Sequence, residues 1–201
     1  MSFHPLHMLP SRLARASAVV IAILAIACGD ITRQTATYTS ALQTFTVYSL
    51  TNSPPSVPNA INFLGGVTRA TAGFSFDVAI DLDASGTPII YPVRTLGGAL
   101  AGTLKYVGLQ KMTTPFANLR EVPATGYDST NAQALTIGGA VAVVLRDPTA
   151  CYSVNLITSQ LIYAKMVVDS VNVPLRKIYG RIVIDPNCGY REVVEDSIPK
   201  N

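Results

Sequence analysis

Apolar and polar residues alternate along much of the chain after residue 44, with the period of two that is typical of β-strands. In the segment 74–83, Phe, Phe, Val, Ile and Leu occupy every second position, and three of the positions between them are Asp. This pattern predicts a strand with one buried face and one exposed, acidic face. A turn signal at 84–86 and a β-rich segment at 88–93 complete a hairpin, and Pro88 and Pro92 place its second strand at a sheet edge.

A second hairpin is predicted near the C-terminus. In 160–171, Ile, Ala, Met and Val share one face opposite Tyr, Lys and Asp, and in 176–185 three Ile share a face. Further strands are predicted at 44–50, 60–64, 103–111, 116–122, 139–146 and 190–195. After the first 27 residues no segment of ten has a helical period. About eight to ten strands predict an all-β fold, an antiparallel β-sandwich of Ig-like or Greek-key type, with a partly open β-barrel as the alternative.

The N-terminal residues 1–27 have the features of a signal peptide and predict a signal helix. Arg12 and Arg15 give the start a positive charge, and the apolar run at 18–27 follows. That run is shorter than the roughly 20 residues that cross a bilayer as a helix. Ala25-Ile26-Ala27 also forms an A-x-A cleavage site, so an ordinary secreted protein is one interpretation.

Cys28 directly follows this run, in the context Leu24-Ala25-Ile26-Ala27-Cys28-Gly29. The context resembles the lipobox of bacterial lipoproteins, although Ala25 stands where that family favours Leu. The resemblance implies a diacylglycerol thioether on Cys28, cleavage before it and acylation of the new amino group, which together anchor the chain to a membrane. Because Gly29 rather than an acid follows the cysteine, the resemblance favours the outer over the inner membrane.

The remaining chain divides into two parts. Residues 28–43 are rich in Thr and Ser and predict a flexible tether, with a first edge strand at 37–42 as the alternative. Residues 44–197 predict one β-sandwich domain. This body resembles small all-β lipoproteins of Gram-negative bacteria only in general kind, and the resemblance carries no functional residues.

The three cysteines have different predicted roles. Cys151 and Cys188 each lie just after a predicted strand, and in an oxidising compartment they are expected to form a disulfide; two buried free thiols are the alternative. This pairing leaves Cys28 as the odd cysteine and favours its use as an attachment point.

Composition and charge exclude several functions. Charged residues make up 13% and apolar residues 49%, which excludes a disordered, charge-solvated chain. The net charge is only +3 with two bases in the leader, so we expect no nucleic-acid binding. Both histidines, His4 and His7, also lie in the leader. The mature chain therefore lacks histidine-based triads and the usual catalytic zinc ligands, and we expect no cofactor.

Acidic residues of the first hairpin suggest two further sites. Asp81, Asp83 and Ser85 match the opening of a calcium loop, but Pro92 occupies the position of its last acidic ligand, so an acidic turn is the preferred interpretation and we predict no metal site. Asp77 with Asp81 and Asp83 are candidates for a carboxylate-based hydrolase, against which we favour a solvated strand face.

Two tyrosines of the second hairpin are weak candidates for binding. Tyr163 and Tyr179 lie beside basic residues that include Arg181, on the predicted polar face. Such a face suits a protein partner or a glycan, and is also common on sheets that bind nothing. The sequence thus predicts a lipid-anchored cell-envelope protein, not an enzyme, with a structural or partner-binding role. A carbohydrate- or calcium-binding module and an envelope hydrolase are the alternatives.

Overall fold

The structure, a computed structural model, describes residues 35–97, 105–147, 149–151 and 160–200. The leader 1–27 and Cys28 lie outside the described residues. No helix in the described ranges is long and apolar enough to span a bilayer.

Ten strands and one short 3-10 helix make up the regular structure of the described residues. The strands are β1 (Ala41–Tyr48), β2 (Ala60–Asn62), β3 (Gly66–Thr68), β4 (Val78–Leu82), β5 (Pro88–Pro92), β6 (Tyr106–Lys111), β7 (Gln133–Ala134), β8 (Ala140–Arg146), β9 (Leu161–Asn172) and β10 (Lys177–Asp185). The 3-10 helix is Val93–Leu96.

The strands form two antiparallel five-stranded sheets. The long-strand sheet has the order β1-β10-β9-β8-β6, and the short-strand sheet has the order β3-β2-β4-β5-β7. The predicted all-β class is therefore confirmed, and the arrangement is sandwich-like. Within the described residues the strands do not close into a barrel.

The main hydrophobic core contains residues of both sheets. From β9 it takes Ile162, Ala164, Met166 and Val168, and from β10 it takes Ile178, Ile182 and Ile184, as the alternation predicts. From the short-strand sheet it takes Ile61, Val78, Ile80, Leu82 and Ile90. Period-two alternation brings these side chains to one face of each strand.

The other face of the long-strand sheet is also covered. A second apolar cluster packs there, formed by sheet residues such as Val144, Tyr163 and Val183 and by residues of the covering segments 112–127 and 190–197. The predicted strand at 116–122 is wrong, because these residues form turns and make one isolated bridge, Glu121–Glu192. The long-strand sheet is thus buried on both faces at its centre, and the predicted polar face of β9 is wrong there.

Three boundaries differ from the predictions. β1 begins at Ala41, inside the segment 28–43 predicted as a tether, because its ladder with β10 extends to the Ala41–Ile184 pair. β5 is not an edge strand, because β7 pairs with it at Ile89 and Ile90, between the two prolines. The strand predicted from residue 74 is regular only from Val78.

The disulfide prediction is confirmed. Cys151 and Cys188 are bonded, with their Cα atoms 5.7 Å apart. They lie beyond the ends of β8 and β10, near the start of β1. We call this the disulfide end of the domain, and the opposite end holds the β9–β10 turn at 173–176.

Candidate functional site

Asp81 is buried rather than exposed. Its carboxylate accepts hydrogen bonds from the Ser49 hydroxyl, from the backbone N–H of Thr51 at 3.1 Å and of Leu82 at 2.8 Å, and from Arg176 Nη2 at 3.3 Å. Burial by itself raises the pKa of Asp81, but the hydrogen bonds from Ser49, Thr51 and Leu82 together hold it below its ordinary value. This carboxylate therefore joins the segment after β1, strand β4 and the β9–β10 turn.

Asp77 is also buried, against the prediction of a solvated acidic face. Its carboxylate accepts a hydrogen bond from the Phe63 N–H at 2.7 Å and forms an ion pair with Lys105 Nζ at 3.0 Å. The side chain of Asp77 is only 3% exposed. A buried, paired carboxylate is typical of a structural contact.

Asp83 and Ser85 belong to the β4–β5 turn. Asp83 Oδ1 accepts hydrogen bonds from the Ser85 N–H at 2.8 Å, the Ser85 hydroxyl at 2.6 Å and the Thr87 N–H at 2.8 Å. These bonds, that of the Ser85 hydroxyl above all, lower the pKa of Asp83. Asp81 pairs with Arg176, whereas Asp83 and Ser85 bond to each other within the turn. Across the described ranges no three acidic, histidine or cysteine side chains cluster as metal ligands.

The structure separates the three residues suggested for binding. Tyr163 is buried in the second cluster, with its ring centroid 6.5 Å from that of Tyr127, and burial raises its pKa. Tyr179 is half-buried. Arg181 reaches the surface and binds Asp169 through two hydrogen bonds, from Nε at 2.9 Å and Nη2 at 2.8 Å. A joint tyrosine surface with Tyr163 is therefore not present.

Arg181 instead lines a cavity of about 260 Å³ on the outer face of the long-strand sheet, which we call the outer-face cavity. Its lining residues are Leu42, Phe116, Ala117, Arg120, Lys165, Arg181, Val183, Val194 and Glu195. Strands β1, β9 and β10 supply the floor, and the two covering segments supply the remaining walls. The cavity exists because these segments cross the sheet without filling all the space above it.

Lys165 is the most buried charged group of this cavity, with 5% of the residue exposed. Its ammonium donates to the carbonyl oxygens of Phe116 at 3.0 Å and Leu119 at 2.8 Å. Desolvation lowers the pKa of Lys165, while the nearby negative charge of Glu195 opposes that shift. The lysine thus links the first covering segment to the central strand β9 and leaves a positive charge beneath the cavity.

Two cations lie near the aromatic ring of Phe116. Lys165 Nζ is 4.8 Å from the ring centroid, and Arg181 Cζ is 5.2 Å from it. Arg120 has a side chain that is 73% exposed and lies 3.9 Å from a Glu192 carboxylate oxygen. Positive charge and an aromatic face are therefore combined in one small cavity, an arrangement suited to an anionic group with an apolar body.

A larger cleft of about 540 Å³ lies at the disulfide end. It is lined by Asn62, Leu64, Gly65, Ser75, Lys105, Arg146, Asp147 and Thr149. Its cations already have partners, since Lys105 pairs with Asp77 and Arg146 Nε donates to the side-chain oxygen of Gln160 at 3.0 Å. The outer-face cavity is the better candidate site, because its buried cation has no carboxylate partner among the described residues.

Comparisons with protein-family models, with curated proteins and with solved structures found no match to this chain.

Among the residues of the outer-face cavity, the sequence predicts Arg181 as a candidate for binding and places Lys165 beside Tyr163 on an exposed polar face. The burial of Lys165 contradicts that placement. Phe116, Arg120 and Glu195 have no recognisable signal, because long-range packing of the covering segments brings them to the sheet.

Proposed function

We propose that the chain is a lipid-anchored protein of the cell envelope whose all-β domain has a non-enzymatic, partner-binding or structural role. The anchor hypothesis depends on Cys28 and its lipobox-like context, and outer-membrane attachment is part of the same proposal. A Greek-key or Ig-like strand arrangement belongs to it as well. Its support is that β1 and β10, the first and last strands, are neighbours in one sheet.

The observation that carries the partner-binding role is an apolar surface at the end opposite the start of β1. Ile137, Val173 and Leu175 are 48%, 45% and 57% exposed, and we call them the apolar tip. The register of β1 with β10 places Ala41 at the disulfide end and Tyr48 beside the tip. At about 3.3 Å per residue, β1 alone spans roughly 25 Å between these ends. The apolar tip is therefore separated from the start of β1 by about the length of that strand.

The structural contacts made by the acidic residues of the first hairpin support a non-enzymatic role. Asp77 and Asp81 each hold a cation and backbone donors, and Asp83 caps a turn. Because these acidic residues are engaged in structural contacts, they no longer support the hydrolase and calcium alternatives. Because Tyr163 is buried, it no longer supports the carbohydrate alternative. A calcium titration that shows no heat at millimolar metal is expected.

Mass spectrometry of the mature N-terminus tests the anchor. We expect a chain that begins at Cys28 and carries a thioether-linked diacylglycerol, and that fractionates with membranes. Cys28→Ala is expected to release the protein from the membrane fraction. An unmodified Cys28 at the N-terminus would make the chain a secreted protein, and an intact Met1 in the cytosol would overturn the proposal.

Site-specific crosslinking in intact cells tests the apolar tip. A photo-reactive residue at Leu175 is expected to capture one defined envelope protein, and Val173→Asp is expected to abolish that capture. The matched control is the same residue at Leu64, which is 40% exposed and lines the cleft at the disulfide end. Equal capture from both positions, or none from Leu175, contradicts the partner-binding role.

A further inference from the structure

The outer-face cavity holds a buried ammonium whose charge is not neutralised by direct contact. Lys165 Nζ donates to two carbonyl oxygens, and within the described part of the chain no carboxylate lies within ion-pairing distance of it. An ammonium has three protons, so one donor remains. Buried charges in proteins are normally paired, and this one has the cavity beside it.

Two guanidinium groups offer further donors at the same cavity. Arg181 uses Nε and Nη2 on Asp169, which leaves its Nη1 for another acceptor. Arg120 is mostly exposed, and its closest acidic oxygen, on Glu192, is 3.9 Å away. Glu195 is the one acidic residue that lines the cavity. This balance of charge suits a monoanion better than a dianion.

The apolar part of the lining limits the rest of the ligand. Leu42, Val183 and Val194 surround the space beside the Phe116 ring. The volume of about 260 Å³ is just below the range of roughly 300–1,000 Å³ in which drug-sized ligands bind. A short aliphatic or aromatic body fits such a space, with its charged group directed to the cations.

We propose that the outer-face cavity binds a small organic monocarboxylate, with the carboxylate on Lys165 and the two arginines and the short apolar body against Phe116 and the neighbouring aliphatic side chains. This inference does not depend on the lipid anchor or on the apolar tip. The carboxylate would supply the direct ion pair that Lys165 lacks, since no carboxylate of the described residues lies within ion-pairing distance of it.

Titration calorimetry with hexanoate, hexanamide and inorganic phosphate tests the proposal on the full chain as purified. We expect saturable hexanoate binding at least tenfold tighter than hexanamide or phosphate binding. Equal binding of hexanamide would make this an apolar cavity only, and equal binding of phosphate would make it a general anion site. Either result, or no saturation with hexanoate, overturns the proposal.

Charge variants locate the site. Arg120→Gln, at an exposed position, is expected to weaken hexanoate binding about threefold or more. Glu195→Gln is expected to tighten it by a similar factor, because it removes the one negative charge of the lining. The matched control is Arg146→Gln, an exposed arginine at the other cleft, which should leave binding unchanged.

Lys165→Met tests the central contact, because it removes the ammonium and keeps an unbranched side chain that is one atom shorter. We expect loss of hexanoate binding in a protein that still unfolds cooperatively. Because this lysine also holds the first covering segment, its unfolding curve is recorded in parallel. The Arg120 and Glu195 variants keep the test decisive if Lys165→Met does not fold. Unchanged binding in all three variants overturns the assignment.

Discussion

Asp185 is the buried acid whose environment has the clearest pH consequence. It is fully buried, its Oδ1 accepts two hydrogen bonds from Asn187, and its Oδ2 has no partner among the described atoms. Burial, the largest cause, raises the pKa of Asp185 from 3.8 to about 6. Ser40 lies opposite, one position beyond the Ala41–Ile184 pair, and its buried Oγ also has no partner in the described structure. A proton on Oδ2 removes the charge of this buried carboxylate, which is the form that burial favours.

This pKa predicts the direction in which stability changes with pH. Between about pH 4 and pH 6 the folded chain keeps a proton on Asp185 that the unfolded chain has released, so the free energy of unfolding falls as pH rises, by about 3 kcal/mol at most. Asp185→Asn is expected to remove this slope and to leave the protein at least as stable at pH 7. Chemical denaturation at several pH values between pH 4 and pH 7 measures the change in the free energy of unfolding.

Asp128→Asn is the matched control for that series. Hydrogen bonds, first of all that of the Asn131 side chain, lower the pKa of Asp128 to about 2, so this half-buried acid is already ionised in the folded chain across the window. The control should keep the wild-type slope. A slope that persists in Asp185→Asn contradicts the assignment.

Gly180 is required by a close approach in the main core. A Cβ at this position would overlap the carbonyl oxygen of Val167 and the ring of Phe45, and the β9–β10 register shifts at the same place. We expect Gly180→Ala to destabilise the domain by about 1–3 kcal/mol. Ser170→Ala, at an exposed position of β9, should stay within about 0.5 kcal/mol of the wild type. Equal thermal unfolding of the two variants would contradict this prediction.

At the scale of elements, the β9–β10 turn is held to both sheets by one arginine. Arg176 donates from Nη2 to Ser49 Oγ at 2.6 Å and to the Leu82 carbonyl at 2.9 Å, and from Nε to the Thr51 carbonyl at 3.1 Å. It also pairs with Asp81, so it joins the segment after β1, strand β4 and the turn. Neither sheet supplies this contact alone.

Removal of Arg176 should therefore destabilise the whole domain. We expect Arg176→Ala to lower the free energy of unfolding by about 2–3 kcal/mol, because it leaves the buried Asp81 carboxylate without its cation. The control is Lys177→Ala, the next residue, whose ammonium lies over the Tyr48 ring at the surface. Urea unfolding should give different free energies of unfolding for the two variants. A similar small loss of stability in both would contradict the proposed role of Arg176.

The strands themselves show where sequence patterns are reliable. Period two correctly predicts which β9 and β10 side chains enter the main core. It wrongly predicts a solvated second face, because Tyr163 and Lys165 are covered by segments distant in the chain. The same error affects Asp77 and Asp81, whose burial depends on Lys105 and Arg176. A polar residue on an alternating strand does not reveal whether a partner will cover it.

At the scale of the whole molecule, the disulfide joins the ends of β8 and β10. Replacing both Cys151 and Cys188 by Ser is expected to cost about 3–4 kcal/mol, because the sequence separation of 37 residues gives a large loop in the unfolded chain. Denaturation with and without reductant measures the loss. The wild type should lose a similar amount on reduction, whereas Cys28→Ser should behave as the wild type does. An insensitive wild type would contradict the prediction.

The sequence by itself determined the all-β class, the two main hairpins, the Cys151–Cys188 pairing and the inward face of each long strand. These properties depend on local alternation, turn residues and cysteine number, which the chain carries within short segments. Only the tertiary structure decided that both faces of the long-strand sheet are covered and that β1 begins at Ala41. It also decided that Lys165, Arg181 and Phe116 meet at one cavity. Such contacts join residues far apart in the chain, and no local pattern specifies which of them will pack together.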